Sequence, residues 1–222
     1  MPRTLALFDL DNTLLTDDSD YLWGRYLADV GLVDGPAYEV ENARYYELYK
    51  AGELDIHEFL AFALRPLRDL PMSQLFQLRE FFIGEWIVPR IAPGAGALLE
   101  SHRRKGHLPV IITATNRFIT GPIAALLGVP ALIATEPELE AGSFTGRALE
   151  PPCFRDGKVA CLERWQARYG YVGAYLYFYS DSHNDLPLLE RADVPCVVDA
   201  DPALATVASE RGWRQISLRV AS

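Results

Sequence analysis

The chain has 222 residues, 50% of them hydrophobic and 23% charged, so a core of ordinary size can form and a disordered polymer is excluded. Its formal charge of −9 argues against a nucleic-acid partner, since phosphate contacts need clustered Lys and Arg. That charge still admits small phosphorylated molecules, because one bound cation reverses the local field.

Cys153, Cys161 and Cys196 are widely spaced and form no CxxC pair, which fits a reducing compartment and no structural zinc. The apolar start of the chain is interrupted at Asp9, and no run of about 18 apolar residues occurs. The expectation is a cytoplasmic protein with no membrane partner. Its oligomeric state is not legible.

Residues 5–8 form a short apolar run that stops at Asp9, as a buried parallel strand would. Residues 20–86 carry only helical periodicity. Leu22, Trp23, Tyr26, Leu27 and Val30 make one apolar face, and Ile56, Phe59, Leu60, Ala63, Leu64 and Leu67 make a second. Leu75, Leu78, Phe82 and Trp86 make a third.

After Pro93, strand and helix alternate. Helices are expected at 94–105, 118–127, 156–169, 185–191 and 202–211, with strands at 109–113, 131–134, 174–179 and 196–199. A hairpin is expected around 142–146. This order predicts an α/β fold, a doubly wound, mostly parallel sheet with right-handed crossovers and ligands at the carboxyl ends of its strands. Residues 1–17 and 89–222 would form the α/β core, and residues 18–88 a helical cap inserted after the first strand. Residues 17–20 and 86–93 would be the hinges.

Three predicted strands end in polar residues: Asp9-Leu-Asp11-Asn-Thr13, Thr113, and Ser180-Asp181-Ser-His-Asn184-Asp185. Lys158 opens the helix before the third. Carboxylates converging on one pocket repel each other, and a hard dication with oxygen ligands removes that conflict. Asp11, two residues beyond Asp9, can lean over a leaving group as general acid and then as general base. His183 is expected near the entrance. His57, His102 and His107 are assigned to surface or cap packing, and Tyr45, Tyr46 and Tyr49 to helix packing.

These four motifs, in this order, resemble the haloacid dehalogenase superfamily of phosphatases. The resemblance implies a Rossmann-like core, Mg²⁺ as cofactor, and a small phosphorylated metabolite as partner. Asp9 would be the nucleophile, Asp11 the acid and base, and Thr113 and Lys158 the groups that neutralise the phosphoryl oxygens. Mg²⁺ would be held by the Asp9 and Asp181 side chains and the Asp11 carbonyl, with Asp185 holding its water shell. Thr113, Ala114 and Asn184 would lie beside the substrate.

The position of the helical block is similar to the subgroup that contains phosphoserine phosphatases. There an acid nine residues after the nucleophile reads the substrate amine, which here is Asp18. Capping of the helix that begins near Tyr21 is the alternative role for Asp17, Asp18 and Asp20. The Arg that reads the substrate carboxylate in that subgroup is replaced by Ala61, with Arg65 one turn further on. The opening 8–15 followed by Asp18, Asp20, Trp23 and Gly24 resembles a bacterial subset that includes histidinol-phosphate phosphatases. Histidinol phosphate is therefore the expected substrate, with phosphoserine as the alternative. Phosphotransfer to a small alcohol, and a non-catalytic sensor, are the competing classes.

Overall fold

The computed structural model describes residues 3–220, so the first two residues of the apolar start lie outside it. Strand β1 (Thr4–Phe8) leads into five helices: α1 (Ser19–Asp29), α2 (Gly35–Ala51), α3 (Ile56–Ala63), α4 (Arg65–Asp69) and α5 (Met72–Phe82). A π-helical turn (Ile83–Ile87) and a 3₁₀ turn (Val88–Arg90) return the chain to the sheet. Then follow α6 (Ala95–Arg104), β2 (Leu108–Asn116), α7 (Arg117–Leu126), β3 (Ala131–Thr135), β4 (Pro137–Glu140), β5 (Ser143–Ala148) and α8 (Asp156–Tyr169). The remainder is β6 (Tyr175–Ser180), a 3₁₀ turn (His183–Asp185), α9 (Leu186–Leu189), β7 (Val194–Val198), α10 (Pro202–Arg211) and β8 (Arg214–Ile216).

Six strands pair in the order β3-β2-β1-β6-β7-β8, every pair parallel. The chain starts in the middle at β1, moves out through β2 and β3, then crosses to β6 on the other side. The strand order therefore reverses around β1, which opens a crevice at the carboxyl ends there.

Both faces are covered, as the near-continuous apolar runs of β1, β2 and β6 require. Ala6, Phe8 and Ile111 pack on one face with Leu99 of α6 and Ile119 and Ile123 of α7. Leu5, Leu7, Val110, Ile112 and Phe178 pack on the other with Val159, Leu162, Leu188 and Leu204. The first of these cores runs on without a break into the helical block through Leu22, Trp23, Tyr26 and Phe82.

The two connections between that block and the sheet lie side by side. Leu15 bridges Ile91, the Thr16 amide donates to the Arg90 carbonyl at 2.7 Å, and Arg90 Nε reaches Asp17 Oδ2 at 3.3 Å.

Several expectations change. The second apolar face is split into α3 and α4, where Pro66 follows Leu64 and Arg65, because proline belongs to a helix's first turn. The helix expected at 185–191 is a 3₁₀ turn followed by the four residues of α9. The hairpin turns at Ala141 and Gly142, both with positive φ, and residues 143–146 belong to its second strand. Strand β8 was not anticipated, since Arg214-Gln-Ile216 is too short and polar to carry a period.

His102 is not on the surface. It is buried under the sheet, its Nε2 2.9 Å from the Tyr179 hydroxyl and its Nδ1 2.8 Å from His107 Nδ1. Burial, with the charges of His107 and Lys105, pushes its pKa down to about 4, so it packs as a neutral ring against Phe8 and Tyr179.

Phe82 joins the block's helices, with its ring 5.1 Å from Trp23, 5.6 Å from Tyr26 and 6.4 Å from Trp86. Phe82→Ala would leave a cavity that costs about 3–5 kcal/mol. At about 2–4 °C per kcal/mol, thermal unfolding followed by circular dichroism should show a drop near 10 °C. A drop of under 2 °C would mean that this cluster does not hold the helices together.

Candidate active site

Asp9 follows β1 directly, and its amide donates to the Tyr179 carbonyl, so its position is locked to β6. Beyond it Asn12 adopts φ 57°, a left-handed conformation that Asn tolerates better than most side chains. The tight turn that follows returns the Thr13 hydroxyl to Asp181 Oδ1 at 2.9 Å.

Strand β2 does not stop at Thr113. It continues to Asn116 through a register shift between Thr113 and Asn116, and this bulge re-aims the side chains at the sheet edge. Thr113 Oγ1 accepts from the Thr115 amide at 3.2 Å, while the Thr115 hydroxyl donates to Asp11 Oδ2 at 2.8 Å. Asp11 Oδ1 accepts from the Ser19 amide at 2.7 Å. Both Asp11 oxygens are thus held by groups from two other elements.

Lys158 enters from the first turn of α8. Gly157 makes that entry possible, because a Cβ there would lie 2.1 Å from the Pro152 carbonyl oxygen. Lys158 Nζ donates to Asp9 Oδ1 at 2.8 Å and lies 2.7 Å from Asp185 Oδ1. The Ser180 hydroxyl donates to Asp185 Oδ2 at 2.7 Å.

Charge in this cluster is unbalanced. Burial pushes the Asp9 pKa up to about 7, with Lys158 opposing and Asp185 and Asp11 adding to the rise. Asp181 is raised by burial and then by the charge of Asp9, and Asp11 by burial against its hydrogen bonds. Burial disfavours the Lys158 ammonium, but Asp185 and Asp9 outweigh it and hold the lysine protonated.

The donor set of Asp9, Asp181 and the Asp11 carbonyl is all hard oxygen and carries surplus negative charge, which fits Mg²⁺. No group of three or more His, Cys, Asp or Glu side chains suited to an ion occurs among the described residues. Two carboxylates, one carbonyl and water are the kind of mixed set that Mg²⁺ takes.

A cavity opens above the cluster. Asp9, Asp11, Thr113, Ala114, Lys158, Asn184 and Asp185 line its floor side. Asp181 is not among its lining residues, although it is only 8% exposed. Asn184 lines the cavity with its amide already engaged, donating to the Tyr49 carbonyl and accepting from Arg155 Nε.

The opposite wall adds to the packing role of the tyrosines, of which Tyr45 and Tyr49 belong to an apolar cluster with Leu54 and Phe154. Tyr45, Tyr46 and Tyr49 line the cavity together with Tyr21, Leu54, Ile56 and Phe59, so their helix packs by presenting rings to the site. Sequence periodicity showed which helix they belong to but not which wall that helix forms.

Asp18 also lines the cavity, and it is the N-cap of α1, accepting from the Asp20 and Tyr21 amides at 2.9 and 2.8 Å. Ala61 and Arg65 are exposed and line other grooves. Arg65 therefore does not compensate for the missing carboxylate reader, because it sits beyond the break between α3 and α4. His183 is held by the N-cap residue of α10, its amide and Nδ1 both 2.7 Å from Asp201 Oδ2. Thr115, Ser180 and Asn42 were missed; nothing in their local sequence distinguishes them from ordinary strand or helix residues.

Among known proteins, the pattern of the haloacid dehalogenase-like hydrolases matches residues 6–190. A histidinol-phosphatase of Neisseria meningitidis serogroup C is 40% identical, the match covering 98% of this chain and all of that one. A Bordetella pertussis Tohama I protein of unknown function has a solved structure that superposes with a TM-score of 0.92 at 41% identity, covering 98% and 100% of the two chains. A substrate-bound phosphoserine phosphatase shares the fold at a TM-score of 0.71 and 18% identity, covering 100% of this chain and 95% of that one. Motif order, sheet topology and full-length likeness agree, and the chain belongs to the haloacid dehalogenase-like hydrolases.

Proposed function

We propose that this hydrolase is a Mg²⁺-dependent phosphomonoesterase that takes its phosphoryl group onto Asp9, and that its substrate is a small amine-bearing ester, histidinol phosphate above others. The observation that carries the substrate class is the cavity wall: tyrosines and Phe59 beside the carboxylate of Asp20, with Lys158 the one cation among the lining residues. Lys158 is already committed to Asp9 and Asp185. Such a wall suits a flat, cationic group and offers nothing to a substrate carboxylate, which disfavours phosphoserine. The full-length likeness to a histidinol-phosphatase supports the same reading.

In this reading an Asp9 carboxylate oxygen attacks phosphorus while the ester oxygen leaves with a proton from Asp11. Asp11 then takes a proton from water as that water attacks the aspartyl phosphate, and Asp9 is released. Bound Mg²⁺ supplies charge neutralisation at the phosphoryl oxygens. Lys158 and the Thr113 hydroxyl stabilise the same oxygens from the protein side. Thr115 keeps Asp11 aimed, and burial favours the protonated form of Asp11 that the first step requires. The helical block shuts water out while the phosphoryl group is in transit. Residues 18–88 thereby act as a cap on a core of residues 1–17 and 89–222.

Phosphate release from a panel of esters should need Mg²⁺, stop with EDTA and vanish in Asp9→Asn. Histidinol phosphate should exceed phosphoserine about 100-fold in kcat/KM, roughly 2.7 kcal/mol of discrimination. A preference for phosphoserine would overturn the substrate assignment. Thr115→Val should lower kcat about tenfold with KM little changed, as expected when an interaction made in the transition state is lost. An unchanged kcat would free Asp11 from that hydroxyl.

The pKa of Asp9 bears on stability as well. Its folded value of about 7 lies above the ordinary 3.8, so the unfolded chain releases this proton first. In metal-free protein, stability therefore falls as pH rises from about 4 through 7. Mg²⁺ binds the ionised form, so it should raise Tm more at pH 8 than at pH 5.5. Equal shifts at both values would remove Asp9 from the metal set.

A further inference from the structure

We propose that the substrate ammonium is received by Asp20 and the Asn42 side-chain carbonyl, and that Asp18 serves as a helix cap only. The proposal rests on the amine-bearing substrate described above and assigns the residues that read the amine.

Asp18 is engaged locally through one oxygen: its Oδ1 accepts two amides of the first turn of α1, as an N-cap carboxylate does. Asp20, two residues on, is different. It lines the cavity at 8% exposure, and its one hydrogen bond among the described residues is a long one, 3.4 Å from Asn116 Nδ2. No Lys or Arg pairs with it. Buried carboxylates are normally paired or hydrogen-bonded, and this one faces the cavity without a counter-charge. Burial and the charge of Asp11 push its pKa up to about 7, and the same two causes raise Asp18.

Asn42 supplies the second acceptor. It is 4% exposed and lines the same cavity from α2. Its Nδ2 donates to the Tyr21 carbonyl at 2.9 Å, which fixes the amide, and its Oδ1 accepts from no donor among the described residues. A primary ammonium has three N–H donors and suits a carboxylate, an amide carbonyl and a ring face. Tyr21 and Tyr46, stacked with centroids 5.0 Å apart, line the same cavity.

The fold holds these two acceptors together by a close approach of α1 and α2. A Cβ at Gly24, one turn after Asp20, would lie 2.8 Å from Asn42 Nδ2 and 2.9 Å from Tyr38 Cε1. Glycine there lets α2 come near enough for Asn42 to stand beside the first turn of α1.

The test uses the full chain with Mg²⁺ and two esters: L-histidinol phosphate and its deamino analogue, 3-(imidazol-4-yl)propyl phosphate. The readout is the ratio of their kcat/KM values. Wild type should prefer the amine ester at least 30-fold. In Asp20→Asn that ratio should collapse towards one, through a higher KM for the amine ester. Asn42→Leu should reduce it about tenfold. In Asp18→Asn the ratio should stay within threefold of wild type while Tm falls.

If Asp20→Asn and Asn42→Leu keep the wild-type ratio, the assignment is overturned although the enzyme still reads an amine. The same holds if the ratio collapses in Asp18→Asn alone. A wild-type ratio near one overturns the amine-bearing substrate itself, and this assignment with it. Circular dichroism of each variant separates loss of fold from loss of discrimination, and the isosteric Asp20→Asn keeps the comparison meaningful.

Discussion

The Lys158 ammonium, 3% exposed, bridges Asp9 at the end of β1 and Asp185 in the turn after β6, and the rest of the site is arranged around that bridge. Three segments far apart in sequence meet at one nitrogen. Removing Lys158 would leave two buried carboxylates without their cation, the costly way to break a buried ion pair. The pair also limits the site, because one cation cannot neutralise Asp9, Asp181 and Asp185 together. The surplus negative charge is what makes a hard dication the natural complement of these residues.

Around that centre the sheet and the helical block have separate tasks. The parallel sheet sets the side chains at its carboxyl edge with little freedom, since β1, β2 and β6 are adjacent and each is buried on both faces. The helices provide the other wall, and their inner side is aromatic and acidic. Their core is continuous with one face of the sheet, so the wall is held by packing as well as by the paired connections at Leu15–Ile91 and Asp17–Arg90. On the far side the helices meet the core through a smaller apolar cluster of Tyr45, Leu54 and Phe154 and through polar contacts, where Arg155 meets the Gly52 carbonyl and Asn184 the Tyr49 carbonyl.

Much of this was legible without coordinates. Motifs at strand ends are local: a short apolar run that stops at an acid reads the same in a sequence as in a sheet, and Asp9 and Asp181 were placed in that way, while Lys158 was placed at the opening of a helix and the roles of all these residues rested on the resemblance. Helices α8 and α10 matched residue for residue, since each opens at Asp or Pro and closes at a glycine with positive φ. The break between α3 and α4, the short α9 and the added strand β8 were misjudged or missed, because each depends on what it packs against and not on its own period.

The sequence by itself determined the α/β order, the insertion of a helical block after β1, and which polar residues stand near the strand ends, because those follow from local periodicity and from residue type. Tertiary structure alone decided the rest. It placed the tyrosines of α2 on the cavity wall, buried His102 under the sheet, and set the Thr115 hydroxyl on Asp11 through a bulge in β2. It also distinguished Asp18, whose Oδ1 caps its helix, from Asp20, whose carboxylate has only the long contact to Asn116. Two acids two residues apart look alike in a sequence, and only the direction of the chain between them and the neighbours that approach them give each its partner.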